Sequence, residues 1–280
     1  MSIRPILGAA QFGTNYGITN FNKVKLKSVK TILNFAKFKI DTIDTAIKYK
    51  NSNKILKQIN IQNFNINSKI ILSKNPKNNS KKILEHLKYL KISKLNVLFI
   101  HNVNEFLKMK EKKKIYMELM QLKKKKFFKK LGLSVYDISE VKNFMKLGKP
   151  DILQVPLNVF DRRFIKQSLI NFYKKNKIKI QARSCFLQGL LIAKKIPNKF
   201  KNYNNIFIKW NKWCKKKKIS RIEACLIFIK NNKSIFELVF GVSNQIELKE
   251  ILNGINSKEK IVFPIFFKSK NRKLIDPREW

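Results

Sequence analysis

The chain has 280 residues, 44% of them hydrophobic, which is enough for a core, and it lacks both a signal-like start and an apolar run long enough to span a membrane. Its three cysteines (Cys185, Cys214 and Cys225) have neither paired nor metal-ligand spacing, so we expect a reduced, cytoplasmic protein without a disulfide or metal framework. The formal net charge of +45 comes with only seven arginines among 62 basic residues, a lysine excess that AT-rich codons explain better than a specific nucleic-acid site.

Short apolar runs rich in β-branched residues alternate along the chain with longer segments of helical periodicity. Strands are predicted at 6–10, 42–46, 69–73, 97–101, 131–135, 152–157, 178–183 and 238–242. Helices are predicted between them at 24–38, 80–90, 106–126, 138–145 and 165–176. Eight strands with intervening helices predict an α/β fold, the (β/α)8 TIM barrel, as a single domain over residues 1–280. An open doubly wound sheet is the alternative, but no G-x-G-x-x-G follows the first strand.

The last β/α unit is preceded by an insertion at 196–219, which contains Trp210 and Trp213. Ser220 then begins a further predicted helix that runs to Asn231. Glu223 stands three residues after that serine, at the capping-box position.

In such barrels the chemistry gathers where the strands meet the loops that follow them. Those positions hold Asp44, Lys74 and His101, with Tyr49 just past the second strand. An ordinary tyrosine, with a pKa of about 10, is a poor proton donor at neutral pH. A buried lysine beside it lowers that pKa, an aspartate keeps the lysine charged, and a histidine can orient a carbonyl. The four residues therefore predict a carbonyl-reducing site.

Specific motifs then resemble those of the aldo-keto reductases. The segment 7–13 (LGAAQFG) resembles their opening strand and loop, and Asp44-Thr45-Ala46-Ile47-Lys48-Tyr49 resembles their D-T-A-x-x-Y motif. The runs ending in Lys74 and in His101, the strand containing Ser134 and the strand containing Gln154 resemble further family strands. The resemblance implies an enzyme that transfers a hydride from a nicotinamide dinucleotide to a small-molecule carbonyl. Tyr49 would be the general acid, Asp44 and Lys74 would tune it, and His101 would orient the carbonyl.

The resemblance also implies the cofactor-binding residues, which are Gln11, Ser134, Gln154, Arg183, Gly241, Ser243, Asn244 and Glu250. The loop around Gly241 leads into the last helix, whose N-terminus would attract a cofactor phosphate. Members that select NADPH usually carry Lys or Arg there, whereas this chain has Ser243 and Glu247. Arg183 stands where many members place an aromatic residue. NADP(H) is the expected cofactor, and NAD(H) is the alternative.

The closing sequence at 274–280, LIDPREW, resembles the tail of a bacterial subgroup of this family that is linked to surface-sugar biosynthesis. It implies a sugar or nucleotide-sugar substrate. Alternatively, Trp280 simply packs the terminus against the barrel.

Two further hypotheses belong to other functional classes. The first is a cofactor-binding regulatory or sensor barrel without significant turnover, since a fold does not fix a function. The second is a lysine-rich protein that binds polyanions through its charge.

Overall fold

The computed structural model describes residues 3–15, 17–18 and 23–280. In this part of the chain, eight parallel strands close into a barrel in sequence order, with β8 hydrogen-bonded to β1. The strands are β1 (Arg4–Gly8), β2 (Thr42–Asp44), β3 (Asn65–Ile70), β4 (Leu95–Ile100), β5 (Phe128–Ser134), β6 (Ile152–Pro156), β7 (Lys179–Arg183) and β8 (Ile235–Phe240). The predicted (β/α)8 barrel is confirmed.

Helices cover the outside of the barrel, because the outward side chains of the strands are apolar and need a second layer to exclude water. The α-helices of the described residues are α1 (Leu26–Ala36), α2 (Lys50–Leu56), α3 (Pro76–Leu90), α4 (Val103–Lys108), α5 (Lys112–Lys124), α6 (Ile138–Phe144), α7 (Gln167–Lys175), α8 (Asn204–Lys216), α9 (Arg221–Lys230), α10 (Gln245–Asn256) and α11 (Arg272–Ile275). Short 3-10 turns occur at Arg163–Ile165, Leu187–Ile192, Asn198–Tyr203, Ile265–Phe267 and Pro277–Glu279. Within the described ranges, no helix has the length and apolarity needed to cross a membrane.

The predicted boundaries of one helix and of one strand were wrong. The helix predicted at 106–126 is two helices, because Met109 has an extended backbone (φ −70°, ψ 136°) that ends α4. The third strand runs from Asn65 to Ile70 instead of over 69–73. Asn67 and Lys69 lie on its inward face, in register with Asp44, whereas most of the apolar run that was taken for the strand lies in the following loop.

The insertion before the last unit forms part of the helical layer. Trp210 on α8 is buried, donates its indole N–H to the Leu191 carbonyl oxygen at 2.9 Å, and stacks on Trp213 at 5.5 Å. The next helix begins as predicted: the Ser220 hydroxyl accepts the Glu223 amide N–H at 3.0 Å. At the end of the chain, Trp280 packs edge-on against Phe200 with the ring centroids 5.0 Å apart.

Candidate active site

A pocket opens at the carboxyl ends of the strands, where parallel barrels place their sites. Its empty volume, mouth included, is about 1140 Å³, comparable to cofactor sites. The lining combines inward polar side chains of the strands with residues of the loops after them. Those lining residues are Gly8, Ala10, Gln11, Gly17, Asp44, Tyr49, Lys69, His101, Ser134, Tyr136, Gln154, Arg183, Ser184, Cys185, Phe186, Gln188, Gly189, Val239, Phe240, Gly241, Ser243 and Glu247.

A buried ion pair between Asp44 and Lys69 lies at the base of this pocket. Their side chains are 5% and 4% exposed, and the Lys69 ammonium also donates to the Thr45 carbonyl oxygen at 3.1 Å. Burial lowers the pKa of Lys69 below its ordinary value, against the opposing charge and hydrogen bond of Asp44. The positive charge of Lys69 therefore depends on the Asp44 carboxylate.

Lys69 takes the position that the sequence assigned to Lys74, and that assignment was wrong. Lys74 is exposed in the loop after β3, outside the pocket lining. The cause is the early end of β3 at Ile70, which leaves Lys74 four residues beyond the strand. In the register of β2 and β3, Asp44 pairs with Asn67, and Lys69 is the next inward residue along β3.

Tyr49 enters the pocket from the turn between β2 and α2. The Lys69 ammonium lies 5.8 Å from the centroid of its ring. Two buried residues of α2 hold this turn: Asn53 accepts the Thr45 hydroxyl at 2.8 Å and donates to the Ala46 carbonyl oxygen at 2.9 Å, while Ser52 donates to the Ala9 carbonyl oxygen at 2.7 Å. Asn53 fixes the turn because it supplies both an acceptor and a donor.

His101 follows β4 directly and meets Tyr49 edge-on, with the ring centroids 6.2 Å apart. Burial, reinforced by the charges of Lys69, Lys48 and Arg183, lowers the pKa of His101 to about 2. Its Nδ1 is buried and has no hydrogen-bond partner among the described residues. The imidazole is therefore neutral at physiological pH and has a ring nitrogen available.

A chain of buried amides links Asp44 to the lower part of the barrel. The Gln154 amide nitrogen donates to Asp44 at 2.9 Å and to the Gln181 amide oxygen at 2.5 Å, and the Gln181 amide nitrogen donates to Glu237 at 2.7 Å. Because the Gln154 nitrogen is engaged by both neighbours, its amide oxygen is left for other partners. Gln154 lies in the pocket as expected, with an orientation that the sequence did not indicate.

The loop after β8 carries the residues expected to meet a phosphate. An added Cβ at Gly241 would lie 2.3 Å from the Gln11 amide oxygen, so the Gln11 side chain packs directly against this glycine. The Gln11 amide nitrogen donates to the Ser243 hydroxyl at 3.3 Å. At the start of α10 the Asn244 side chain accepts the Glu247 amide N–H at 2.9 Å, while the Glu247 carboxylate accepts the Ser243 amide N–H at 2.7 Å.

Two expected cofactor residues lie outside the pocket lining. Asn244 caps α10, with its side-chain oxygen accepting the Glu247 amide N–H. Glu250 is exposed one turn beyond Glu247, on the same side of the helix. Its expected adenine contact stays a prediction.

Arg183 ends β7 and lines the pocket together with Ser134, which ends β5. The Arg183 guanidinium donates to the Val135 carbonyl oxygen at 3.2 Å and lies 4.1 Å from the centroid of the Tyr136 ring. A guanidinium plane therefore forms this wall, where an aromatic residue was the family expectation.

Comparison with known protein families gives the same answer as the geometry. The sequence model of the Aldo/keto reductase family matches residues 6–260. The chain belongs to the aldo/keto reductase family. As a member, it is an NAD(P)-dependent oxidoreductase. A search of curated proteins finds no match.

Solved structures of several family members share this fold at low sequence identity. An aldo-keto reductase from Bacillus halodurans superposes with a TM-score of 0.75 at 12% identity, covering 93% of this chain and 88% of that one. A glycerol dehydrogenase from Gluconobacter oxydans gives 0.71 at 17% identity, with the same two coverages of 93% and 88%. An aldo-keto reductase from Klebsiella pneumoniae, in complex with NADPH, gives 0.71 at 12% identity, covering 97% of this chain and 94% of that one.

Sequence reasoning missed two residues that line this reductase pocket, Lys69 and Tyr136. A signal for Lys69 was present, because Asn65, Asn67 and Lys69 are two residues apart, the spacing of side chains on one face of a strand. Tyr136 had no local signal. Its place in the pocket follows from contacts with residues that are distant in the sequence.

Proposed function

We propose that this protein reduces a small carbonyl compound to an alcohol with NADPH, and that Tyr49 is the general acid. The observation that carries this proposal is the buried Asp44–Lys69 pair beside Tyr49 and His101 at the mouth of the barrel. A buried lysine and its counter-ion are costly to maintain, so their presence beside a tyrosine needs a chemical reason.

In this proposal Tyr49 gives its phenolic proton to the carbonyl oxygen as that oxygen gains negative charge. The Lys69 ammonium stabilises the phenolate left behind, which lowers the barrier to proton transfer near neutral pH. Asp44 opposes the loss of the Lys69 proton that burial favours. The amides of Gln154 and Gln181 hold Asp44 in place for that task.

His101 is proposed to hold the carbonyl oxygen beside Tyr49. A neutral imidazole can donate one N–H to that oxygen, whereas a charged ring would compete with Tyr49 as the acid. With a pKa of about 2, the ring keeps the neutral form over the whole working range of pH. The unpaired ring nitrogen is consistent with a ligand contact at this place.

The pocket is proposed to fit a dinucleotide cofactor because its lining runs from the Asp44–Lys69 pair to Gly241, Ser243 and Glu247 at the start of α10. When bound, NADPH supplies the hydride. Ser134, Arg183 and the Gln154 amide oxygen are proposed to hold its nicotinamide end. Gln11, Gly241 and Ser243 are proposed to hold its phosphates.

The choice between NADPH and NADH depends on Glu247. NADPH is supported by the family and by the Klebsiella pneumoniae neighbour, which was solved in complex with NADPH. The Glu247 carboxylate accepts the Ser243 N–H at the start of α10. Its negative charge would repel the additional phosphate that NADPH carries, and so favours NADH. If the protein prefers NADH to NADPH, we therefore assign that preference to the Glu247 side chain.

The substrate is proposed to be a polyol-type or sugar-type carbonyl. The Gluconobacter oxydans neighbour is a glycerol dehydrogenase, and the closing sequence resembles that of a subgroup linked to sugars. Reduction of simple aldehydes without any activity on sugar carbonyls would contradict this part of the proposal.

The first test is a fluorescence titration with NADPH and with NADH at physiological salt, followed by turnover with a panel of carbonyls. We expect saturable binding of NADPH, and we expect Tyr49→Phe to lower kcat by about 100-fold or more while the cofactor still binds. Binding without turnover would favour the sensor hypothesis. If neither dinucleotide binds, the proposal fails and the polyanion hypothesis becomes the stronger one.

A further inference from the structure

Arginine is used sparingly in this chain, and four of its seven arginines meet around one residue of the pocket, Tyr136. Lysine replaces arginine at little cost where only a charge is needed. It cannot replace arginine where a planar group stacks on a ring or donates two parallel hydrogen bonds. The arginines retained here indicate a site whose geometry matters. They are Arg163, Arg183, Arg272 and Arg278.

The Tyr136 ring contacts two guanidinium groups. The Cζ atom of Arg278 is 3.8 Å from its centroid, and that of Arg183 is 4.1 Å away. Such contacts stabilise both the ring and the cations when water is partly excluded.

The backbone of Tyr136 is fixed as firmly as its ring. Its carbonyl oxygen accepts from Arg163 at 3.0 Å and from Arg272 at 3.3 Å, and its amide N–H donates to Glu140 at 2.7 Å. Arg272 also pairs with the neighbouring Asp137. The segment after β5 is therefore tied to the C-terminal part of the chain by the Arg272 and Arg278 side chains.

Asp276 joins the arginines of this cluster. Its side chain is 1% exposed and accepts from Arg278 Nε at 3.0 Å and Nη2 at 2.8 Å, as well as from Arg272 at 3.2 Å. Arg163 lies 3.7 Å away on the same carboxylate. One buried carboxylate thus sets the positions of three guanidinium groups, including the plane of Arg278 against Tyr136.

We propose that the C-terminal tail, Asp276 to Arg278, is a positioning element of the active-site pocket that holds Tyr136 and, through that ring, fixes the Arg183 guanidinium in the pocket wall. The tail does not line the pocket itself. It acts on the wall that the proposed function places beside the nicotinamide and the substrate, and to that extent the inference rests on the proposed function. Its effect is on ligand binding rather than on proton transfer.

Arg278→Lys tests the tail directly, because it keeps the charge and removes the stacking plane and the paired hydrogen bonds to Asp276. We expect the Kd for NADPH or the KM for the carbonyl to rise by about 5- to 10-fold, consistent with the loss of one partly desolvated cation–π contact. We expect kcat to change by less than about twofold. The matched control is Arg4→Lys, an exposed arginine at the other end of the barrel that pairs with Asp41 at 2.8 Å, and it should change neither constant.

A double-mutant cycle decides whether the tail acts through Tyr136. In a Tyr136→Leu background, Arg278→Lys should have no further effect on binding, because the ring that transmits it is gone. Additive effects of the two substitutions, or unchanged Kd and KM in Arg278→Lys, would overturn the inference.

Hydrogen exchange in the absence of ligand separates this inference from the proposed function. Arg278→Lys should speed amide exchange in the segment 134–137 at least severalfold relative to Arg4→Lys. If the wild-type protein bound no dinucleotide, the proposed function would fail while this measurement still tested the tail. Unchanged exchange would count against the tail whether or not the enzyme turns over.

Discussion

Lysines inside the barrel mouth and lysines on its outer surface have the same side chain and different roles. Lys69 and its partner Asp44 are 4% and 5% exposed, whereas the surface pair Lys114–Glu111 is 75% and 45% exposed. Water screens the surface pair, which therefore contributes little, whereas burial removes most of the contact between water and the Asp44–Lys69 pair. In a chain with a net charge of +45, burial and partner geometry therefore distinguish the Asp44–Lys69 pair from the surface charges.

The largest expected effect on kcat comes from comparing substitutions of two lysines, Lys69 and Lys74, which are five positions apart in the sequence. Lys69→Met should lower kcat by about 100- to 10,000-fold, because the phenolate of Tyr49 loses its stabilising cation. Lys74→Met, in the exposed loop, is the matched control and should leave kcat within about twofold of wild type. Steady-state kinetics with a saturating carbonyl measures both.

Lys69→Met also leaves Asp44 as an uncompensated buried charge, so part of its effect could come from loss of fold. Circular dichroism and Lys69→Arg, which restores a cation, separate the two causes. A folded Lys69→Met enzyme with wild-type kcat, or an inactive Lys74→Met enzyme, would contradict the assignment of the buried pair to catalysis.

The same comparison shows what the sequence could and could not provide. The number and order of the strands could be predicted, because a short apolar run lies within or directly beside each buried strand. The buried lysine of the pocket was misplaced because the apolar run at 70–72 continues beyond the end of β3, and the strand was predicted too late in the sequence. The dual role of the Gln154 amide, bonded to Asp44 and Gln181, depends on side-chain orientation inside the closed barrel.

Tyr136 marks a different limit. Its contacts with Arg278 and Arg183 join three segments that are far apart in the sequence and come together only in the folded chain. The motif at the C-terminus was visible in the sequence, and its place beside the pocket was not. No local periodicity or spacing reports such a contact.

An intermediate effect is expected from a buried histidine outside the pocket. His86 on α3 shares a hydrogen bond of 2.9 Å with Ser68, and burial lowers its pKa from 6.5 to about 4. Between these two values the unfolded chain binds a proton that the folded chain does not, so stability is full above pH 6.5 and falls as the pH is lowered towards 4. This one group should remove about 2 kcal/mol from the free energy of unfolding between pH 6.5 and pH 5.

The measurement is urea unfolding of wild type and His86→Gln at pH 7 and pH 5. The glutamine can still bond to Ser68 and does not titrate, and His101 is present in both proteins, so the difference reports His86 alone. Wild type should lose about 2 kcal/mol more than the variant over this interval. Equal losses would mean that His86 is hydrated in the folded protein, and the contrast between buried and exposed charges would weaken.

The smallest effect on stability and activity is expected from a run of exposed lysines at the end of α8. Lys215, Lys216 and Lys217 are exposed at the C-terminal end of α8. There they gain from the helix dipole and lose by mutual repulsion, two terms of a few tenths of a kcal/mol each that partly cancel. Replacing all three with glutamine should change the free energy of unfolding by less than about 1 kcal/mol. It should leave kcat/KM within about twofold while weakening retention on heparin.

If kcat/KM fell with the charge instead, the lysine surface would be steering an anionic substrate to the pocket, and the fall would shrink as salt is added. Repeating the kinetics at low and high ionic strength therefore decides whether the surface lysines take part in the reaction.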